Sequence, residues 1–328
     1  MGLGLFYVEP RQRAHSPRLA AGNRRLEKTV KDAHHQNRNT CCDFSVIVPC
    51  YNAAETLLEQ LEALSTQKYG ASWEIIVADN GSTDNTLEIA KRFHARLPNF
   101  RSVDASACKG AAHARNVGAK AAHGTYLAFC DADDVVAPGW MVALRTSLEQ
   151  TELAASRFEG HKLNGREILS IRKCPQETGL INLGYSSFLP FAGACGLAIK
   201  KTDFFKLNGF DETLINGEDV DFCWRAQLSG MRLEFVPEAV VHIRMRRDTK
   251  SVFRQTVNNG YWTAPIYKRY RQHGMPVVPW TSGVKQWMLL VKHLPWLIRK
   301  TSRLIWIKDF AYRWGLIKGG FRYRTLTF

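Results

Sequence analysis

Several absences narrow the possibilities first. None of the eight cysteines stands in a C-x-x-C pair, and no Cys or His pair follows at finger spacing. A structural zinc site is therefore excluded, and the thiols read as reduced, mostly buried groups of a cytosolic protein. No apolar run approaches the ~20 residues that a helix needs to cross a bilayer. The start, "MGLGLFYVEPRQR", has too short an apolar run and no leading positive charge for a signal peptide, and Phe6 breaks the myristoylation pattern. The first strand-to-helix turn, "PCYNAAE", has no glycine, so the dinucleotide-binding G-x-G-x-x-G is missing. No G-x-x-x-x-G-K-[ST] occurs either, which removes the P-loop. Any nucleotide bound here must be held by side chains and a metal.

Acidic residues are scarce at both ends. Residues 1–42 hold eight Lys/Arg against three Asp/Glu, and residues 271–328 hold eleven against one, within a net charge of +15. The body between them is balanced. A basic end suits nucleic acid or an anionic membrane. No nucleic-acid-binding signature accompanies the charge, so no nucleic-acid partner is expected.

Residues 1–42 are polar and without period, and are expected to form a disordered basic arm. From Phe44 the pattern changes: "FSVIVPC" predicts a strand, and "YNAAETLLEQLEAL" a helix with an apolar stripe at Leu57, Leu58, Leu61 and Leu64. Asn52 with Glu55 predicts a capping box at its start. The unit recurs as strand "EIIVAD", turn "NGSTDN" and a helix, then a short strand near residues 100–103, the helix "GAAHARNVGAKAAHG" and the strand "YLAFC". Strands alternating with helices of this length predict an α/β fold with a parallel, doubly wound sheet. Beyond residue 150 the pattern loosens to a strand "GACGLAIKK", a capped helix "GEDVDFCWRAQLSG", a strand pair "RLEFVPEAVVHIRM" and a helix over 249–272. The expected organisation is a catalytic domain over 43–248 and a basic helical extension over 249–328. That Trp-rich extension has two readings: an interfacial helix on an anionic membrane, or a helical pair packed on the core.

In parallel sheets ligands bind beyond the carboxyl ends of the strands. There "YLAFC" runs directly into Asp131, Asp133 and Asp134. Asp131 and Asp133 point to one side of an extended segment, as a divalent cation shared with substrate phosphates requires. Asp79 ends the second strand and either meets a ligand or closes an Asx-turn with Asn80-Gly81. Glu218, Asp219 and Asp221 crowd one helical turn, more acid than capping needs, so one is a candidate general base. Phe222, Trp224 and Ala226 read as packing. His242, in "VVHIRMRR", is either a further metal ligand or an exposed strand-end histidine.

Taken in order and spacing, "VIVPCYNAAETL", "IIVADNGSTDNT", "ARNVGAKAAHGTYLAFCDADD" and "GEDVDFCWRA" resemble the family 2 glycosyltransferases, over about residues 44–245. The resemblance implies a GT-A fold, with a Rossmann-like, mostly parallel sheet flanked by helices. It implies a nucleotide-sugar donor held by Pro49, Tyr51, Asp79, Arg115 and Asp131. Asp133 and His242 would carry Mg²⁺ or Mn²⁺, Asp219 would act as catalytic base, and Glu218 would be its acceptor-side neighbour. It further implies an inverting, single displacement onto a hydroxyl-bearing glycan or lipid-linked acceptor. Processive members carry Q-x-x-R-W and flanking membrane spans. This chain has "FRQTVNNGYW" instead, so one sugar per encounter is expected, in the cytoplasm or at the inner face of the membrane.

Two rivals carry different tests. "LAFCDADDVV" also fits a haloacid-dehalogenase-like phosphohydrolase with Asp131 as nucleophile, although that scheme leaves Asp79 and the "ARN" helix without a role. A non-catalytic sugar-nucleotide binder would need no base, which the retention of Asp219 disfavours.

Overall fold

Strands β1 (Phe44–Cys50) and β2 (Trp73–Asp79) are buried along nearly their whole length, because alternate residues feed two different cores. Val46, Val48, Ile75 and Val77 face one side, where Leu57, Leu61 and Leu64 of helix α1 (Leu57–Ser65) cover them. Ile47 and Ile76 face the other. The computed structural model describes residues 42–325 apart from Pro98, residues 184–187 and Arg247. The expected basic arm lies outside the described residues, except for Cys42.

Helix α2 (Thr86–Lys91), strand β3 (Phe100–Asp104), helix α3 (Ala111–Ala121) and strand β4 (Tyr126–Phe129) continue the alternation. The strands β3-β2-β1-β4 pair in parallel, with Cys50 beside Asp79 and Ile47 beside Phe129. After the two-residue strand β5 (Val135–Val136) come helix α4 (Trp140–Ser147), strand β6 (Leu153–Glu159), the short helix α5 (Arg166–Ile171), strand β7 (Leu197–Lys200) and helix α6 (Lys201–Lys206). Helix α7 (Glu218–Leu228) and strand β8 (Leu233–His242) complete the α/β body.

The eight-stranded sheet is mostly parallel, but β7 runs antiparallel to both β4 and β6, and β5 antiparallel to β8. Two local expectations are corrected. The expected strand pair at 232–245 is one strand, and its break is a bulge where the ladder to β6 shifts between Ser156–Val236 and Arg157–Val240. Pro237 lies in that gap, lacks a ladder donor, and accepts a bond from Arg157 Nε at 3.0 Å. The Asn52–Glu55 capping box does not form either. Asn52 takes a left-handed φ of 48°, and helix α1 starts later, at Leu57. Its amide instead joins the two rim turns: Asn52 N–H donates to Ser82 Oγ at 2.9 Å and Thr83 N–H donates to Asn52 Oδ1 at 2.8 Å.

Helices α8 (Thr249–Tyr270), α9 (Trp280–Lys292) and α10 (Lys300–Tyr323) form the C-terminal extension. Ile266, Tyr267 and Tyr270 seat α8 in the second core. Helix α10 crosses α8 at glycines: a Cβ on Gly260 would stand 2.1 Å from the Tyr312 carbonyl oxygen, and one on Gly315 would stand 2.1 Å from that of Val257. Helix α10 is thus packed closely on α8. Helix α9 differs, with only Gly283 and Leu290 buried and Trp280, Met288 and Val291 at least 60% exposed. No helix among the described residues is long and apolar enough to cross a membrane.

Candidate active site

The carboxyl ends of β1, β2 and β4 open onto one cleft of about 480 Å³, lined by Pro49, Tyr51, Asn80, Lys109, Arg115, Asp131, Asp133 and Arg246 among others. Tyr51 is 55% exposed, its ring available at the mouth. Asp79 does not line the cleft. It lies beneath the rim, buried, accepting the Ser82 N–H at 3.2–3.4 Å, which is the Asx-turn geometry. Its neighbour Asn80 shapes the wall: the side chain donates to the carbonyls of Ala105 and Cys108 and accepts the Gly110 N–H at 2.8 Å. Asn80 thereby fixes the loop that carries Lys109 and launches α3.

Arg115, on α3, is only 4% exposed and carries the centre of the site. Nη2 donates to Asp131 Oδ1 at 2.7 Å and Nη1 to Glu218 Oε1 at 2.8 Å. One guanidinium thus ties the acidic loop after β4 to the acidic turn of α7. Those two carboxylates hold its pKa above the usual arginine range despite burial. Its Nε is buried without a hydrogen-bond partner among the described residues.

The loop Asp131–Asp134 is held from three sides. Gln60, fully buried on α1, donates to the Asp131 carbonyl at 3.1 Å and accepts the Val136 N–H at 3.0 Å. Arg244 donates its backbone N–H to Asp134 Oδ1 at 2.8 Å and its Nε to the Asp133 carbonyl at 3.0 Å, with Nη2 on Glu59 at 2.7 Å. Gln60 leaves a signal in the sequence, as a polar residue inside an apolar helical stripe, whereas the pairing of Arg244 with this loop, from 110 positions away, leaves none.

The carboxyls of Asp133 and Asp134 are pushed up, first by burial and then by their acidic neighbours. Among the described residues, only Asp131, Asp134 and Cys195 place three potential metal-ligand atoms within 4.8 Å of one another. That trio suits a hard cation poorly. Burial and Asp134 drive the Cys195 thiol well up, and Asp134 is already committed to Arg244. Asp133 fits better: its carboxylate projects at the cleft, has no side-chain partner among the described residues, and carries like charge that a divalent ion would offset. His242 ends β8, opposite Val135, and its Nδ1 lies 2.5 Å from Glu159 Oε2. That contact orients the ring, and His242 is not among the described residues that line the cleft.

Helix α7 starts on Gly217, whose φ of 85° is left-handed and whose position would bring a Cβ within 2.4 Å of Ile266 Cδ1. The turn separates its acids by role. Glu218 faces Arg115. Asp219 faces the other way, into a second pocket of about 230 Å³, with its Oδ1 accepting the Val220 N–H at 2.8 Å. Burial, then the Glu218 charge, push the Asp219 pKa up to about 7, which suits a general base near neutral pH. Asp221 belongs to the scaffold. It is fully buried and accepts from Arg225 Nε at 2.7 Å, Arg269 Nη1 at 2.6 Å and the Tyr270 hydroxyl at 2.8 Å. Phe222, Trp224 and Ala226 are fully buried, consistent with packing.

Residues 45–198 match the glycosyl transferase family 2 model, and residues 181–249 match a model described as the N-terminal domain of galactosyltransferase. The chain is 26% identical to a pre-mycofactocin glycosyltransferase of Mycobacterium tuberculosis, over 81% of this chain and 56% of that protein. It spans from 25% to 65% of the length of the first curated relatives it matches. Its fold is similar to that of the mannosyltransferase PcManGT from Pyrobaculum calidifontis, solved with GDP-Man and Mn²⁺. The TM-score there is 0.60 at 17% identity, covering 92% of this chain and 95% of that one. It is also similar to residues 1–349 of S. aureus TarS in complex with UDP-GlcNAc, with a TM-score of 0.50 at 18% identity, covering 86% and 92%.

Proposed function

Because residues 45–198 belong to glycosyl transferase family 2, we propose that this protein moves one sugar from a nucleotide-sugar to a hydroxyl acceptor, with inversion at the anomeric carbon. The observation that carries the reading is the Arg115 bridge. It ties Asp131, the acid this reading assigns to the donor, to Glu218, the neighbour of the assigned base Asp219, through one buried cation.

In this reading Tyr51 and Pro49 flank the base, Asp79 supports that wall from below, and Asp131 meets the ribose. Asp133, with His242 in support, would hold Mg²⁺ or Mn²⁺. The ion, when bound, neutralises charge on the departing diphosphate. Arg115, Lys109 and Arg246 supply further positive charge along the same cleft. Asp219 accepts the proton of the attacking hydroxyl as the new bond forms. UDP-sugars are the donors to try first, UDP-GlcNAc being the ligand of one structure of this fold. The phosphohydrolase alternative is not retained: Arg115 already holds its would-be nucleophile Asp131, and the strands ahead of it belong to the transferase domain.

The acceptor is a glycan or lipid-linked glycan at an anionic membrane surface. Support comes from α9 and the turn after it, where exposed Trp280, Met288, Val291 and Ile298 stand among Lys285, Lys292 and Arg299. The test of the central reaction is UDP release from a panel of UDP-sugars with Mn²⁺ and candidate acceptors. Wild type should turn over, faster as pH rises through about 7, while Asp219→Asn should bind donor but lose transfer. Full turnover by Asp219→Asn would remove the assignment of the base.

A further inference from the structure

Resting on that transferase reading, we propose that the pocket behind Asp219 is a binding site for one uncharged sugar ring of the acceptor, held against Trp262. The pocket is formed where α7 meets α8 and α10, and its volume is about 230 Å³. Trp262, Asn259 and Tyr312 lie beyond residue 249, where the matched family models stop. They therefore belong to this chain's own extension.

Three features define the ligand's chemistry. First, Asp219 is the pocket's sole charged side chain among its described lining residues. With no Lys or Arg there, a phosphate would meet a carboxylate and find no counter-charge, so phosphorylated alditols are disfavoured. Second, two amides stand beside that carboxylate. Asn216 Nδ2 donates to Asn259 Oδ1 at 2.7 Å, and both residues line the pocket, so the Nδ2 of Asn259 and the Oδ1 of Asn216 keep hydrogen-bonding capacity for a ligand. Paired donors and acceptors of this kind match vicinal hydroxyls. Third, Trp262 provides an apolar face whose orientation is set by neighbours: Tyr261 packs edge-on at 5.5 Å and Tyr323 at 6.2 Å. The apolar C–H face of a pyranose covers an indole well, and its hydroxyl edge then turns toward the amides and Asp219. A lipid chain would leave the amides and the carboxylate desolvated and unpaired.

The test uses methyl glycosides of glucose, galactose, mannose and N-acetylglucosamine, read by saturation-transfer NMR on the full chain with UDP and Mn²⁺. At least one glycoside should give a signal with wild type, lose it with Trp262→Ala, and recover part of it with Trp262→Phe. Asn259→Ala, at an exposed position with no core packing, should weaken the same signal while leaving the melting temperature unchanged. Undiminished transfer in Trp262→Ala and Asn259→Ala would overturn the proposal. So would binding of glycerol phosphate or ribitol phosphate in place of every glycoside. UDP release from UDP-sugars is recorded in parallel. A protein that releases UDP but binds no glycoside loses only this inference, whereas one that neither binds nor releases UDP loses the transferase reading itself.

Discussion

Asp219 shows how a single carboxylate is prepared at the residue scale. Its pKa is raised to about 7 in the folded chain by burial and by Glu218, against ~3.9 in an unfolded one. The folded state therefore favours the protonated form, and ionising the group costs stability as pH rises between those values. Asp219→Asn is expected to raise the melting temperature by a margin that grows from pH 4 to pH 7 and levels off above. A margin independent of pH would show that Asp219 titrates normally. The acids themselves were legible in the sequence, because each stands next to an apolar strand or opens a helix. Their partners were not. Arg115 reaches Glu218 across 103 positions and Arg244 reaches Asp134 across 110, and no local pattern encodes such distances. Asp221 shows the converse: its spacing matched that of the catalytic acids, and only the fold reveals that Arg225, Arg269 and Tyr270 already satisfy it.

Among the elements, strands β1 to β4 and helices α1, α3 and α7 followed from periodicity because both faces of the sheet are covered and the runs are apolar. Strand β6 was missed. Its "LAASRFE" is rich in small residues, which suit close packing between β7 and β8 but give a weak strand signal. The crossing of α8 and α10 was also invisible, since glycines inside a helix argue against it until a partner backbone is seen. Gly260→Ala would push a methyl into the Tyr312 carbonyl, so the helices must separate. The expected cost is about 1–3 kcal/mol. Trp262 and Tyr312 line the pocket behind Asp219 from these same helices. Chemical denaturation should show the loss, and unchanged stability would mean that the helices do not pack as closely as described.

For the molecule as a whole, the uneven charge bears on the proposed membrane surface. The body is neutral, whereas residues 271–328 carry eleven basic residues against one acid, next to the exposed apolar side chains of α9. Attraction to an anionic surface fades with salt, while burial of Trp and Ile in the interface does not. The triple variant Trp280→Ser, Met288→Ser, Ile298→Ser is therefore expected to lose co-flotation with phosphatidylglycerol vesicles at both low and high salt. Wild type should weaken only partly at high salt. Equal partition of the two proteins would remove the membrane from the account. Substitution is preferable to truncation here, because α10 is packed on α8 and its removal would open the acceptor pocket.

A nucleoside diphosphate is proposed to bind at Asp133 through a divalent ion, and titration calorimetry of UDP into the full chain measures that binding. Binding should require Mn²⁺, vanish in Asp133→Asn and persist in Asp219→Asn. UDP binding of equal strength without the ion, or in Asp133→Asn, would contradict it.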